Sequence, residues 1–122
     1  MSSTKNRVYE LIYIVQPEAS EEDRNKISDR LQKAIDEYKA TAVKKEYWGS
    51  RKLAYEIKFQ SSMVSKGHYF YFVIDGKPGI TQELERILRQ FDSVIRFMTI
   101  RYDDMEDLNA LNKVQAEEST EG

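Results

Sequence analysis

The sequence predicts an α+β domain in which one four-stranded antiparallel sheet carries two helices on a single face. Three observations lead there. Hydrophobic periodicity alternates between a repeat of two and a helical repeat, in the order strand, helix, strand, strand, helix, strand. Each helical stretch joins two extended ones, so right-handed crossovers build two interlocked βαβ halves. The chain has 122 residues, 40% hydrophobic and 33% charged, enough for one ordinary core and too few for two.

The first strand runs from Val8 to Val15 and closes at Gln16-Pro17, because proline cannot donate to a ladder. Ser20 then precedes Glu21, Glu22 and Asp23, a hydroxyl N-cap with carboxylates at the positive end of a helix. Ile27, Leu31, Ala34, Ile35 and Tyr38 follow at helical spacing as one apolar stripe. From Thr41 the period changes. An extended stretch starts at Ala42-Val43 and bends at Gly49. Beyond it, Leu53, Tyr55, Ile57 and Phe59 alternate with Ala54, Glu56 and Lys58, which predicts a half-buried strand. Gln60 to Gly67 reads as a loop or hairpin tip, and His68 to Asp75 as the third strand. Gly76-Lys77-Pro78-Gly79 is turn punctuation. Ile80, Leu84, Ile87, Leu88 and Phe91 mark a shorter second helix, broken at Asp92-Ser93 before a last strand from Val94 to Tyr102. This is the order of the ferredoxin-like two-layer sandwich, expected over residues 7–102. A flexible N-terminus is expected over residues 1–6, and an acidic, largely disordered tail over residues 103–122, in which Leu108 and Leu111 offer a short helix or docking segment.

Composition narrows the function. With no cysteine and a single histidine, His68, the chain has no disulfide framework, thiolate metal site, cysteine nucleophile or histidine pair. The longest apolar run, Tyr69 to Ile74, is far short of a membrane span, and no signal stretch opens the chain. A soluble, cytoplasmic protein is expected, with no cofactor, no metal and no membrane partner. The formal net charge of −2 hides a division. Residues 103–122 hold seven acids against Lys113, leaving 18 bases and 14 acids on residues 1–102, a net of +4. The body is mildly basic, so an anionic partner is compatible with it.

Two layers leave one sheet face open, and such a face ought to be polar. Here it cannot be. Tyr69, Tyr71 and Val73 oppose Phe70, Phe72 and Ile74, while Ile12 and Ile14 oppose Leu11, Tyr13 and Val15. Whichever parity the helices cover, apolar side chains remain on the other. Ile12, Ile14, Trp48, Tyr69, Tyr71 and Val73 are therefore candidates to face RNA bases or a partner protein. The simpler reading is an aromatic-rich central strand covered by the tail. Basic and aromatic residues interleave at Lys44, Lys45, Trp48, Arg51, Lys52, Tyr55, Lys58 and Lys66, with Arg7, Arg96 and Arg101 nearby. They suit phosphate neutralisation beside stacking rings, or equally a lysine-protected sheet edge.

Trp48-Gly49-Ser50-Arg51-Lys52-Leu53-Ala54-Tyr55-Glu56-Ile57-Lys58 resembles the signature of the protein six family of the small ribosomal subunit. Lys66-Gly67-His68-Tyr69, Tyr9-Glu10 with Pro17, and Phe91-Asp92-Ser93-Val94-Ile95-Arg96 resemble further family segments, so the likeness spans Arg7 to about Tyr102. It implies a ferredoxin-like fold and a structural role. The family binds the central domain of small-subunit rRNA together with protein eighteen of that subunit, a cooperative heterodimer that helps assemble the platform. The resemblance carries rRNA contact onto Arg51, Lys52, Tyr55, Lys66, His68 and Arg96. Lys52 stands where arginine is common, Glu56 where proline is common, and Phe59 to Ser65 is about three residues longer than the family pattern.

The fold also carries enzymes, but the residues argue against one. An acyl-phosphate hydrolase needs an anion cradle after the first strand, and Gln16-Pro17-Glu18-Ala19 has neither glycine nor arginine. Gly76-Lys77-Pro78-Gly79 lacks phosphate-loop spacing. No small-molecule substrate is expected. The alternative is a small regulatory or ligand-binding module that dimerises through its open sheet face.

Overall fold

A computed structural model of the chain describes residues 6–103. The expectations for most of the N-terminal residues 1–6 and for the acidic tail after Asp103 lie outside the described residues. The elements are β1 (Arg7–Val15), α1 (Glu21–Glu37), β2 (Thr41–Phe59), β3 (Ser62–Gly76), α2 (Ile80–Arg89) and β4 (Val94–Tyr102). The sheet order is β2-β3-β1-β4 with every neighbouring pair antiparallel. This is the ferredoxin-like sandwich, with β1 and β3 central and β2 and β4 at the edges.

Between sheet and helices lies the main core. Tyr9, Leu11, Tyr13 and Val15 of β1 and Phe70, Phe72 and Ile74 of β3 meet Ile27, Leu31 and Ile35 of α1 and Ile80, Leu84, Ile87 and Leu88 of α2. The Tyr13 and Phe70 rings stack at 4.9 Å between centroids, as their cross-strand pairing dictates. The α1 stripe is buried as its spacing requires, except that Tyr38 falls beyond the last turn and is exposed.

Both ends of α1 follow from side-chain and backbone chemistry. The Ser20 hydroxyl accepts from the Asp23 amide at 3.1 Å, satisfying one orphan donor. At the other end the Ala40 amide donates to the Ile35 carbonyl and the Lys39 amide to the Asp36 carbonyl, the paired bonds of a Schellman motif. That motif places Lys39 in the left-handed region, at φ 56°, where a side chain is strained.

The β2–β3 hairpin differs from expectation in two ways. Pairing continues out to Phe59 and Ser62, so Gln60-Ser61 is the whole turn, and the loop expected from Gln60 to Gly67 is mostly strand. Its residues are largely solvated, so backbone pairing rather than burial maintains it, and its composition is that of a loop. The second difference is a large bulge. Lys52 pairs with Lys66 and Ile57 with Val64, so the four residues Leu53 to Glu56 oppose only Ser65. The expected alternation breaks there: Leu53 is buried while Tyr55 is 84% exposed.

Replacing Lys39 with glycine removes the left-handed strain and keeps both capping bonds. Lys39→Gly is expected to stabilise the fold by about 1 kcal/mol, read as a higher urea midpoint with unchanged slope.

Candidate functional site

The face of the sheet away from the helices is built from alternate residues of all four strands. It has its own small core of Val8, Tyr71 and Val73, with Ile12, Trp48 and Tyr102 packed around it. A bulge between Tyr47 and Gly49 makes this possible. Tyr47 turns toward the helix side, against His68 and Phe70. Trp48 turns the other way and stacks on Tyr71, centroids 4.9 Å apart. Gly49 takes the left-handed φ of +88° that the switch needs.

The Trp48 ring also fixes a cation. The Arg51 guanidinium lies 5.1 Å from its centroid, and Arg51 Nε donates to the Trp48 carbonyl oxygen at 3.1 Å. The terminal guanidinium nitrogens form none of the bonds that hold it, so they can meet a phosphate while the ring positions them. Next to this pair the face opens into a groove of about 470 Å³ lined by Ile12, Ile14, Tyr69, Arg96, Phe97 and Met98. The bulge residues Leu53 to Glu56 form its continuation, again with Ile14, Tyr69 and Arg96. Arg96, paired with Ile14, therefore stands between the groove and the overhanging hairpin. Gly67 lets the hairpin root approach β1: a Cβ there would lie 2.4 Å from Ile14 Cγ2 and 3.1 Å from the Val15 carbonyl.

The structure gathers some of the sequence-predicted residues and separates others. Arg51, Arg96, Ile12, Ile14, Trp48 and Tyr69 share the open face. Tyr55 projects from the bulge, and Lys52, Lys58 and Lys66 are exposed along the hairpin. Tyr71 and Val73 are on the expected face, yet Val73 is 1% exposed and Tyr71 buried, so they brace the face rather than present it to a partner. Lys44 lies at the far end, opposite Val73. Arg7 and Arg101 leave the group altogether. Their register puts them on the helix side beside Tyr9, whose phenol is raised by burial and pulled back by the Arg101 and Arg7 charges. Arg7 also pairs with Asp103 at 3.6 Å.

His68 is committed internally. Its Nε2 lies 3.2 Å from the Pro17 carbonyl, which only accepts, so Nε2 is the donor there, and Nδ1 shares a hydrogen bond with the Tyr47 hydroxyl at 2.7 Å. Both nitrogens tie β2 and the β1–α1 turn to β3. The parity of His68 with Phe70 placed it on the helix side from the start.

Residues that the sequence reading did not single out complete the face. Met98 and Ile100, 52% and 37% exposed, extend its apolar surface. They share the parity of Arg96, which is the signal that would have found them. Glu10 is 8% exposed and accepts from both the Tyr102 hydroxyl, at 2.7 Å, and the Tyr71 hydroxyl. Burial, with the Glu10 bond and charge adding to it, pushes the Tyr102 phenol up to about 12.

An α+β sandwich whose open sheet face is apolar, flanked by fixed cations, belongs by class to the proteins that bind other macromolecules. Residues 8–101 match the sequence model described as ribosomal protein S6. The small ribosomal subunit protein bS6 of Rickettsia prowazekii (strain Madrid E) is 37% identical over 113 residues, covering 92% of this chain and 90% of its own. That of Geotalea uraniireducens (strain Rf4) is 39% identical over 117 residues, covering 94% and 88%. The crystal structure of 30S ribosomal protein S6 from Thermotoga maritima superposes with a TM-score of 0.74 at 34% identity, over 89% of this chain and 99% of that one. The chain belongs to the ribosomal protein S6 family: it is a structural constituent of the small ribosomal subunit and not an enzyme. Among the described residues no helix is long and apolar enough to cross a membrane.

Two outcomes follow from the geometry. Gly67→Ala forces β1 and the hairpin apart and is expected to cost about 1–3 kcal/mol, measured by denaturant unfolding. Ionising Tyr102 sets two anions against each other. Because its folded pKa lies above the unfolded value, its stabilising contribution is intact below pH 10 and lost as pH rises toward 12. Alkaline unfolding followed by tyrosinate absorbance should show this loss, and Tyr102→Phe should abolish its share.

Proposed function

We propose that this chain binds the central domain of small-subunit rRNA cooperatively with protein eighteen of the same subunit, and so helps assemble the subunit's platform. The observation that carries this reading is the groove on the open face, apolar along Ile12, Ile14, Tyr69 and Met98, with Arg96 at its border and the Arg51–Trp48 pair beside it. Apolar surface of that kind favours a protein neighbour. The guanidinium groups, with Lys52, Lys58 and Lys66 along the hairpin, favour phosphates. The exposed ring of Tyr55 offers a stacking surface for an unpaired base. A preformed domain that binds only the folded RNA junction shifts the RNA equilibrium toward that junction by mass action.

The test is binding to a central-domain rRNA fragment across a salt series, with and without protein eighteen. Tight, salt-sensitive binding that needs both proteins is the expected result. Arg51→Ala with Lys52→Ala should weaken RNA binding and flatten the log–log salt slope by about 1–2 units, and Arg96→Ala by about 1. An unchanged slope removes these residues as phosphate contacts. A symmetric homodimer with no RNA affinity would instead support a regulatory module that pairs through the same face.

A further inference from the structure

We infer that the start of α2 and the helix side of β1 and β4 form a pocket for a phosphate monoester. The site lies away from the open face and does not depend on the function proposed above.

Strand register assembles it. Arg101 pairs with Tyr9 and Thr99 with Leu11, so all four residues face the side of the sheet that carries α2. The turn Gly76-Lys77-Pro78-Gly79 sets the first residues of α2 beside them, around a cavity of about 330 Å³. The helix supplies amides to that cavity. Gly79 stands at the N-cap with φ 105° and brings no side chain to satisfy them. The Ile80 amide bonds back to Lys77 and the Glu83 amide to Gly79, while those of Thr81 and Gln82 have no partner among the described residues. Amides so placed, at the positive end of a helix, favour an anion.

A helix end alone does not define a ligand, and Tyr9 supplies the second observation. The residue is 4% exposed and part of the main core, yet it lines the cavity. Its hydroxyl has no hydrogen-bond partner among the described residues. A buried hydroxyl left without a partner costs free energy that a ligand oxygen recovers. Burial raises the Tyr9 phenol, against the pull of the Arg101 and Arg7 charges, so it stays protonated and able to donate. Arg101 is exposed at the cavity wall and makes no ion pair or hydrogen bond among the described residues. The nearby carboxylates are already engaged: Glu83 by Arg86, Glu85 by Arg89 and Thr99, and Asp103 by Arg7.

These donors favour a monoester over a polynucleotide backbone. A monoester carries nearly two negative charges at neutral pH and only one substituent, so its three terminal oxygens can enter a concave site together. A backbone diester carries one charge, and the chain leaves it on two sides. Arg101, with Arg7 behind Tyr9 and the helix end opposite, matches the dianion.

The test is a titration of the isotope-labelled, full-length protein with inorganic phosphate and with glycerol phosphate, followed by backbone amide shifts at constant ionic strength. Saturable shifts at Thr81 and Gln82 are expected with both, weakening as pH falls through the second phosphate pKa of about 6. Dimethyl phosphate, the diester control, should bind far more weakly. Arg101→Gln, at an exposed position, should lower phosphate affinity about tenfold. Tyr9→Phe keeps the ring in the core and should lower it about threefold. Shifts that fail to saturate, or that chloride reproduces, overturn the inference. So does equal phosphate affinity of the wild type and either variant. Dimethyl phosphate binding as tightly as the monoester overturns it too. Tyr9→Phe leaves the net charge unchanged, so a loss of affinity for the central-domain rRNA fragment in that variant would place RNA in the pocket and also overturn it.

Discussion

Two helices can cover only one face of a four-stranded sheet, yet the central strands β1 and β3 are apolar on both faces. The rest of the molecule answers that constraint. On the helix side, Tyr13, Phe70 and Phe72 are buried in the ordinary way. On the open side, Val8, Tyr71 and Val73 would be wet unless something else came across them. The edge strand supplies it. The bulge at Gly49 sends Tyr47 and Trp48 to opposite faces, and Trp48 covers Tyr71. Tyr102 closes the other flank and joins Tyr71 in holding Glu10. Removing apolar surface from water is worth roughly 25 cal/mol per Å², so each covering ring contributes appreciably.

Self-coverage stops partway along the face. Beyond Tyr71 the sheet continues through Ile12, Ile14, Tyr69 and Met98 without a lid, and there the groove opens. The hairpin leans over that stretch through Leu53, aided by the missing side chain at Gly67. The same long β2 strand therefore does two different things. Its first half covers the Tyr71 end of the face from within the chain, through Trp48. Its second half, bulged and lysine-bearing, shapes the open end without closing it.

The parts legible in the sequence were those governed by burial on one side. The α1 stripe from Ile27 to Ile35, the α2 stripe from Ile80 to Leu88 and the double-faced apolarity of β1 and β3 all follow from periodicity, and the structure has them. The hairpin was legible only in part, because its pairing rests on backbone bonds that composition does not encode. The bulge was hidden for a sharper reason. Leu53, Tyr55 and Ile57 keep a period of two straight through it, so a two-fold pattern runs across residues that do not share a face. Of the site, Arg51, Arg96 and the Ile12–Ile14 parity were visible as residue types in register. The role of Glu10 was not, since a lone carboxylate in an apolar strand reveals its tyrosine partners only when three strands are side by side. His68 is the opposite case: the residue type suggested an outward contact, while both ring nitrogens have polar partners within the chain.

Under the proposed assembly, the sparse cations explain why a second protein is needed. Salt-dependent RNA affinity grows with the number of phosphates neutralised, and strong binders make about 6–10 such contacts. On the open face and its hairpin this domain offers Arg51 and Arg96, with Lys52, Lys58 and Lys66 on a projecting arm whose lysines hold no fixed ion pair among the described residues. Ordering flexible lysines costs side-chain entropy that a preorganised arginine avoids. On the proposed reading, a few fixed charges and a lysine-bearing arm would make the domain a weak RNA ligand alone. A basic neighbour seated on the remaining apolar surface would add phosphate contacts and hold the hairpin root still, so that each protein binds RNA better beside the other. Cooperativity of that kind requires no conformational change in the sheet. In the proposed assembly it would arise from dividing the charges that meet RNA between two chains, with the apolar groove as the place where they join.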